Sequence, residues 1–200
     1  MNNYYMTNHS KVVNPRDILF IDGERTYPMG SDNSRRWMEL SIIDGTGASV
    51  FHDYFYPGVE IGYRFSKKGL TDELLMFKPT FESRWLDIKH HLKGKHIVAW
   101  AMHLEKAHFP EELAFCPRLH CAQERFSPLV GDYSIYYGNY RSIGMWDAFD
   151  MLGLPQPPGH RHRAATDTMA MLMIWNWLEE TQISNLLLSS RPGNGPIHYN

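Results

Sequence analysis

The chain has 200 residues, of which 43% are hydrophobic and 14% aromatic, and a net charge of −2. That composition excludes a disordered chain, and no apolar stretch approaches the ~20 residues that would span a membrane. The near-neutral charge excludes a strongly basic coat, and two cysteines, Cys116 and Cys121, make a disulfide framework improbable and fit a reducing cytoplasm.

Residues 1–16 read as an N-terminal extension without a basic-plus-apolar signal pattern, 17–182 as one folded domain and 183–200 as a flexible tail rich in Pro and Gly. The first element is the apolar run Ile18-Leu19-Phe20-Ile21, bounded by polar residues, which predicts a buried strand. Trp37 to Ile43 and Ser49 to Tyr56 predict two more strands, joined by the hairpin-like turn Asp44-Gly45-Thr46-Gly47. Phe81 to Leu92 carries helical spacing in Trp85, Ile88 and Leu92, with His90 and His91 read as surface at its end and His96 beyond. Ile97 to Trp100 predicts a short buried strand, followed by a helix from about Met102. Pro110 ends that helix, and Glu111 and Glu112 suit the acidic first turn of another helical piece. Leu119 to Ala122 is a fifth strand candidate. A long irregular stretch follows, with Phe126, Tyr133, Tyr136, Tyr137 and Tyr140, whose rings either stack bases or pack a loop onto the domain. Ser142 to Leu152 predicts a helix ending at Gly153, and Ala164 to about Glu180 another. The order implies an α/β domain with a mixed sheet.

Chemistry concentrates on a few residues. Asp22 and Glu24 project to the same side of the first strand, in line with Ile18 and Phe20. Two carboxylates so placed repel unless a cation lies between them, and oxygen ligands suit magnesium or manganese. Asp167 falls on the apolar stripe of the last helix, with Ala164, Met171, Ile174, Trp175 and Leu178. A carboxylate there is costly unless paired or bound to metal, although acids also favour first turns. His162, five residues earlier, sits in the loop leading into that helix and is a candidate general base. His103-x-Glu105-x-x-His108 lacks the spacing of a zinc-protease motif.

Taken in order, Asp22-x-Glu24, Lys68-Gly69-Leu70-Thr71-Asp72-Glu73, the segment from His96 to Glu105, and His162-Arg163-Ala164-Ala165-Thr166-Asp167 resemble the motifs of the DEDDh 3′–5′ exonucleases. That superfamily includes polymerase proofreading exonucleases and ribonuclease T, and the resemblance covers roughly Ile18 to Glu180. It implies a ribonuclease H-like fold, a mixed five-stranded sheet flanked by helices. It also implies a site of Asp22, Glu24, Glu105, His162 and Asp167. The four acids would hold two Mg2+ or Mn2+ ions, Glu105 directly or through water, and His162 would accept the proton of the attacking water. Arg25, Thr26 and Arg163 would contact substrate, a single-stranded 3′ end of DNA or RNA, and some relatives work as homodimers. Two departures stand out: Glu105 occupies the place of the family's Asp, and Arg25 that of its Thr after the first motif. Glu105 motivates a competing expectation, a catalytically weak relative that binds nucleic-acid ends or a protein. A small-molecule phosphoesterase is a third.

Overall fold

The computed structural model describes residues 5–6, 12–26, 35–61 and 63–189. Its centre is strand β1, Ile18–Arg25, whose four leading residues are all buried. β2 (Trp37–Asp44) pairs with it antiparallel, and β3 (Ser49–Tyr54) pairs antiparallel with β2. The turn between them is closed by Asp44, whose Oδ1 accepts from the Thr46 and Ala48 backbone N–H groups and from the Thr46 hydroxyl. On the other side of β1 lie β4 (His96–Ala99) and β5 (Arg118–Cys121), both parallel to it, giving the order β3-β2-β1-β4-β5. This is the mixed five-stranded sheet expected.

Helices cover both faces because β1 is apolar on both. Leu19 and Ile21 pack with Phe81, Trp85, Ile88 and Leu92 of α1 (Phe81–Leu92). Ile18 and Phe20 pack with Trp146 and Phe149 of α4 (Met145–Met151) and with Met171, Ile174 and Trp175 of α5 (Ala164–Ser189). Phe20 meets Trp175 edge to face at 6.1 Å. The stripe read from the sequence is therefore the buried face of α5, and it carries Asp167 onto the sheet. Between these elements α2 (Met102–Lys106) follows β4, and α3 (Ala122–Val130) follows β5.

Several sequence expectations need correction. Glu111 and Glu112 start no helix: residues 107–117 are turns, and Glu111 instead accepts from Trp85 Nε1 at 2.9 Å and pairs with Lys89 at 2.6 Å. The stretch read as irregular begins with helix α3, in which Phe126 is core. Pro128 inside it masked the helical pattern. Tyr136 and Tyr137 do not pack onto the domain. Tyr133–Ser134 and Asn139–Tyr140 form a small hairpin that leaves Tyr136 and Tyr137 88% and 74% exposed. α5 runs to Ser189, so the expected tail from 183 begins as helix, while 190–200 lie outside the described residues. Within the expected N-terminal extension, Tyr5–Met6 pairs antiparallel with Val12–Val13, and Pro15–Asp17 makes a 3-10 turn capped by Asn14. Among the described residues no helix is long and apolar enough to cross a membrane.

Candidate active site

Asp22 and Glu24 extend the inward row of Ile18 and Phe20 past the point where apolar packing ends, and α5 brings Asp167 against them. Ligand oxygens of the three carboxylates lie within 4.8 Å of one another. Asp167 is buried, and its Oδ1 accepts from the His162 backbone N–H at 2.9 Å and from Trp146 Nε1 at 3.2 Å. With Oδ1 so engaged, the carboxylate is held in one orientation. Burial, then the charge of Glu24, overcome these hydrogen bonds and push its pKa up to about 7. Asp22 is raised well above the ordinary carboxylate range, first by burial and then by the charges of Glu105, Asp167 and Glu24, against the pull of Arg25. Glu24 is raised by burial despite Lys68, whose Nζ lies 3.6 Å from its carboxylate. Three acids held close at this cost fit a hard divalent cation, whose charge would reverse each of these shifts.

Glu105 lies outside this cluster. Both its oxygens are taken by Arg25, Nη1 to Oε2 at 2.6 Å and Nη2 to Oε1 at 3.1 Å. A bulge between Glu24 and Arg25 breaks the strand alternation there, and the guanidinium lies 4.8 Å from the centre of the Trp37 ring. Gly23 makes room for that ring: a Cβ at this position would stand 2.2 Å from Trp37 Cζ3. The ring is fixed by its own N–H to the His108 carbonyl at 3.0 Å and by stacking on Phe81 at 4.6 Å. Glu105, expected as a metal ligand, forms an ion pair in the structure, where a long acid and a long cation meet across the sheet end. Arg25, expected at the substrate, gives two of its donors to that pair.

His162 is exposed in the turn before α5, with φ +63°. That left-handed backbone is what lets its N–H point back to Asp167 while the chain enters the helix. Arg163, next in sequence, turns the other way. Its Nε donates to Glu39 Oε2 at 2.8 Å, Nη1 to the Lys68 carbonyl at 2.9 Å and Nη2 to the Tyr54 hydroxyl at 2.7 Å. Through these bonds Arg163, expected at the substrate, ties the His162–Asp167 segment to β2 and β3. Thr26 is buried, with its hydroxyl accepting from the Arg36 N–H at 3.0 Å. Glu39, 1% exposed, also meets His52 Nε2 at 2.9 Å. Burial alone would raise its pKa, but the bonds from His52 and Arg163 outweigh that and lower it.

Sequence reading missed Lys68, Glu39, Trp37 and Trp146. Lys68 had a signal, since it opens a segment already singled out as a landmark. Glu39 had a weaker one, a lone acid in an apolar strand. The two tryptophans had none beyond ordinary core composition.

No family model matches the sequence, and no curated protein does. Solved structures do resemble the fold. Exonuclease X in complex with 5′ overhanging duplex DNA matches with a TM-score of 0.54 and 20% identity, over 80% of this chain and 90% of that one. The cell-death related nuclease 4 (CRN-4) matches at 0.61 and 15%, over 84% of this chain and 65% of that one. The nuclease domain of 3'hExo, a DEDDh family member bound to rAMP, matches at 0.51 and 15%, over 82% and 92%. The chain therefore has the ribonuclease H-like fold of the DEDDh 3′-exonucleases.

Proposed function

We propose that the protein is a 3′–5′ exonuclease that hydrolyses phosphodiester bonds of DNA or RNA with Mg2+ or Mn2+ as cofactor, acting on a single-stranded 3′ end in a reducing cytoplasm. One observation carries this reading: the convergence of Asp22, Glu24 and Asp167 on the fold of nucleases. When bound, the cation would polarise the phosphate and lower the pKa of the attacking water. Asp22, Glu24 and Asp167 would hold it. The burial that raises their pKa values in the empty site also excludes competing water. His162, at the exposed rim, would take the proton of the attacking water, while its backbone N–H orients Asp167. Lys68, 3.6 Å from Glu24, would meet an incoming phosphate with positive charge.

End-labelled DNA and RNA oligonucleotides, incubated with manganese, magnesium or EDTA, test the reading. Stepwise shortening from the 3′ end, abolished by EDTA and by Asp22→Ala, is expected. The second reading, a weak relative that binds nucleic-acid ends, is favoured by the engagement of Glu105 with Arg25. It predicts retention of labelled oligonucleotide without shortening in any metal.

A further inference from the structure

A second cation at this centre would need a carboxylate beyond the three that converge, and Glu105 is the fourth acid. Its two oxygens are already bound in parallel to two guanidinium nitrogens, and each side chain of the pair is only 10% exposed. Among the described residues, the acids whose ligand atoms come together are Asp22, Glu24 and Asp167 without Glu105. The guanidinium itself is held twice, by Glu105 and by the Trp37 ring beneath it. A cation placed beside Glu105 would meet a fixed positive charge and displace both of its hydrogen bonds.

We propose that this centre binds one divalent cation, on Asp22, Glu24 and Asp167, and that the Arg25 guanidinium, held by Glu105 and Trp37, supplies the positive charge a second cation would bring. The inference rests on the nuclease reading above and revises its expected stoichiometry of two ions. A guanidinium suits the role. It stays charged at any working pH, and its planar fork of five N–H donors matches phosphate oxygens, two donors being spent on Glu105. Positive charge preset in a partly buried site stabilises a transition-state phosphate without reorganising when the charge develops. The two departures from the resembled motif are then one change. A longer acid in place of Asp and a cation in place of Thr form a single bidentate pair.

The test is isothermal titration calorimetry of the full chain with manganese chloride in saturating adenosine 5′-monophosphate. The variants are Arg25→Thr/Glu105→Asp, which restores the resembled pattern at both positions, and Glu105→Gln. Wild type is expected to bind one ion and the double variant two. Two ions on the wild type overturn the inference and leave the nuclease reading intact. One ion on both proteins overturns it as well, since Arg25 would not be what excludes the second. No ion on the wild type defeats the metal reading itself, and the inference with it. If the double variant melts without a folded baseline in circular dichroism, Glu105→Gln decides. Manganese affinity within about threefold of wild type is expected, and a loss of about 10-fold or more, the scale of a lost ligand contact, overturns the inference.

Discussion

The backbone N–H of His162 and the side chain of Asp167 are joined at 2.9 Å, so an exposed imidazole and a buried carboxylate move as one unit. The link runs through the main chain, so it separates the backbone contribution of residue 162 from that of its ring. His162→Ala is expected to lower turnover ~10²–10⁴-fold, the usual worth of a positioned acid or base, with manganese affinity by calorimetry unchanged. His162→Gly should be equally slow yet more stable, by about 1 kcal/mol, because glycine meets φ +63° without a Cβ penalty. Metal affinity falling in step with turnover would make His162 a ligand and sink its role as a base.

The pH response of the metal-free protein follows from Asp167. Its folded pKa, about 7, stands above the ~3.9 of an unfolded aspartate. A raised folded value stabilises the protein below the unfolded pKa, and that stability is lost as pH rises through the folded one. Asp22, also raised, acts in the same direction. Melting of the EDTA-treated wild type, measured relative to Asp167→Asn, should therefore decline from about pH 4 to about pH 7 and level off above. Manganese should reverse the trend, with a stabilisation that grows across the same window. A wild-type-minus-variant difference that is flat with pH would show that the carboxylate is not strained in the empty site.

Arg163 is a clamp, and removing it leaves Glu39, which is 1% exposed, to His52 and the Ala164 N–H. Arg163→Ala is expected to cost about 3–5 kcal/mol, the scale for breaking a buried pair from one side. Arg163→Lys should not recover it, because one ammonium cannot serve Glu39, the Lys68 carbonyl and the Tyr54 hydroxyl together. Chemical denaturation measures both. Full stability of Arg163→Lys would return Arg163 to the substrate side of the site.

Gly23→Ala puts a methyl where the Trp37 ring lies, 2.2 Å from Cζ3. The ring must move, taking the Arg25 guanidinium with it. A loss of about 1–3 kcal/mol is expected, the range for overpacking, with a shift in tryptophan emission. An alanine variant with native stability and emission would mean that the ring does not rest on the glycine.

What the sequence showed about this site was governed by range. Asp22 and Glu24 were legible because strand alternation is local, and Asp167 because its stripe repeats along one helix. The sheet and its helices followed from the same two periods. The Arg25–Glu105 pair was not legible, since 80 residues separate the partners and only their convergence at the sheet end joins them. The partners of Arg163 were hidden for the same reason: its acceptors lie on β2, on β3 and in the turn at Lys68, far from it in sequence. The helix at Ala122–Val130 was hidden by Pro128, whose local meaning is the opposite of the structure it sits in.

The pairing of Arg25 with Glu105 also constrains how such a site can change by single steps. Replacing Arg25 alone leaves a nearly buried carboxylate uncompensated next to three others, and shortening Glu105 alone pulls it off a guanidinium pinned to Trp37. Each intermediate is worse than either end, so the two positions form a valley that a lineage crosses by a double change or a permissive third. The same barrier faces a protein engineer: saturation at either position by itself would report both residues as essential, and only a library varying 25 and 105 together would find the other solution.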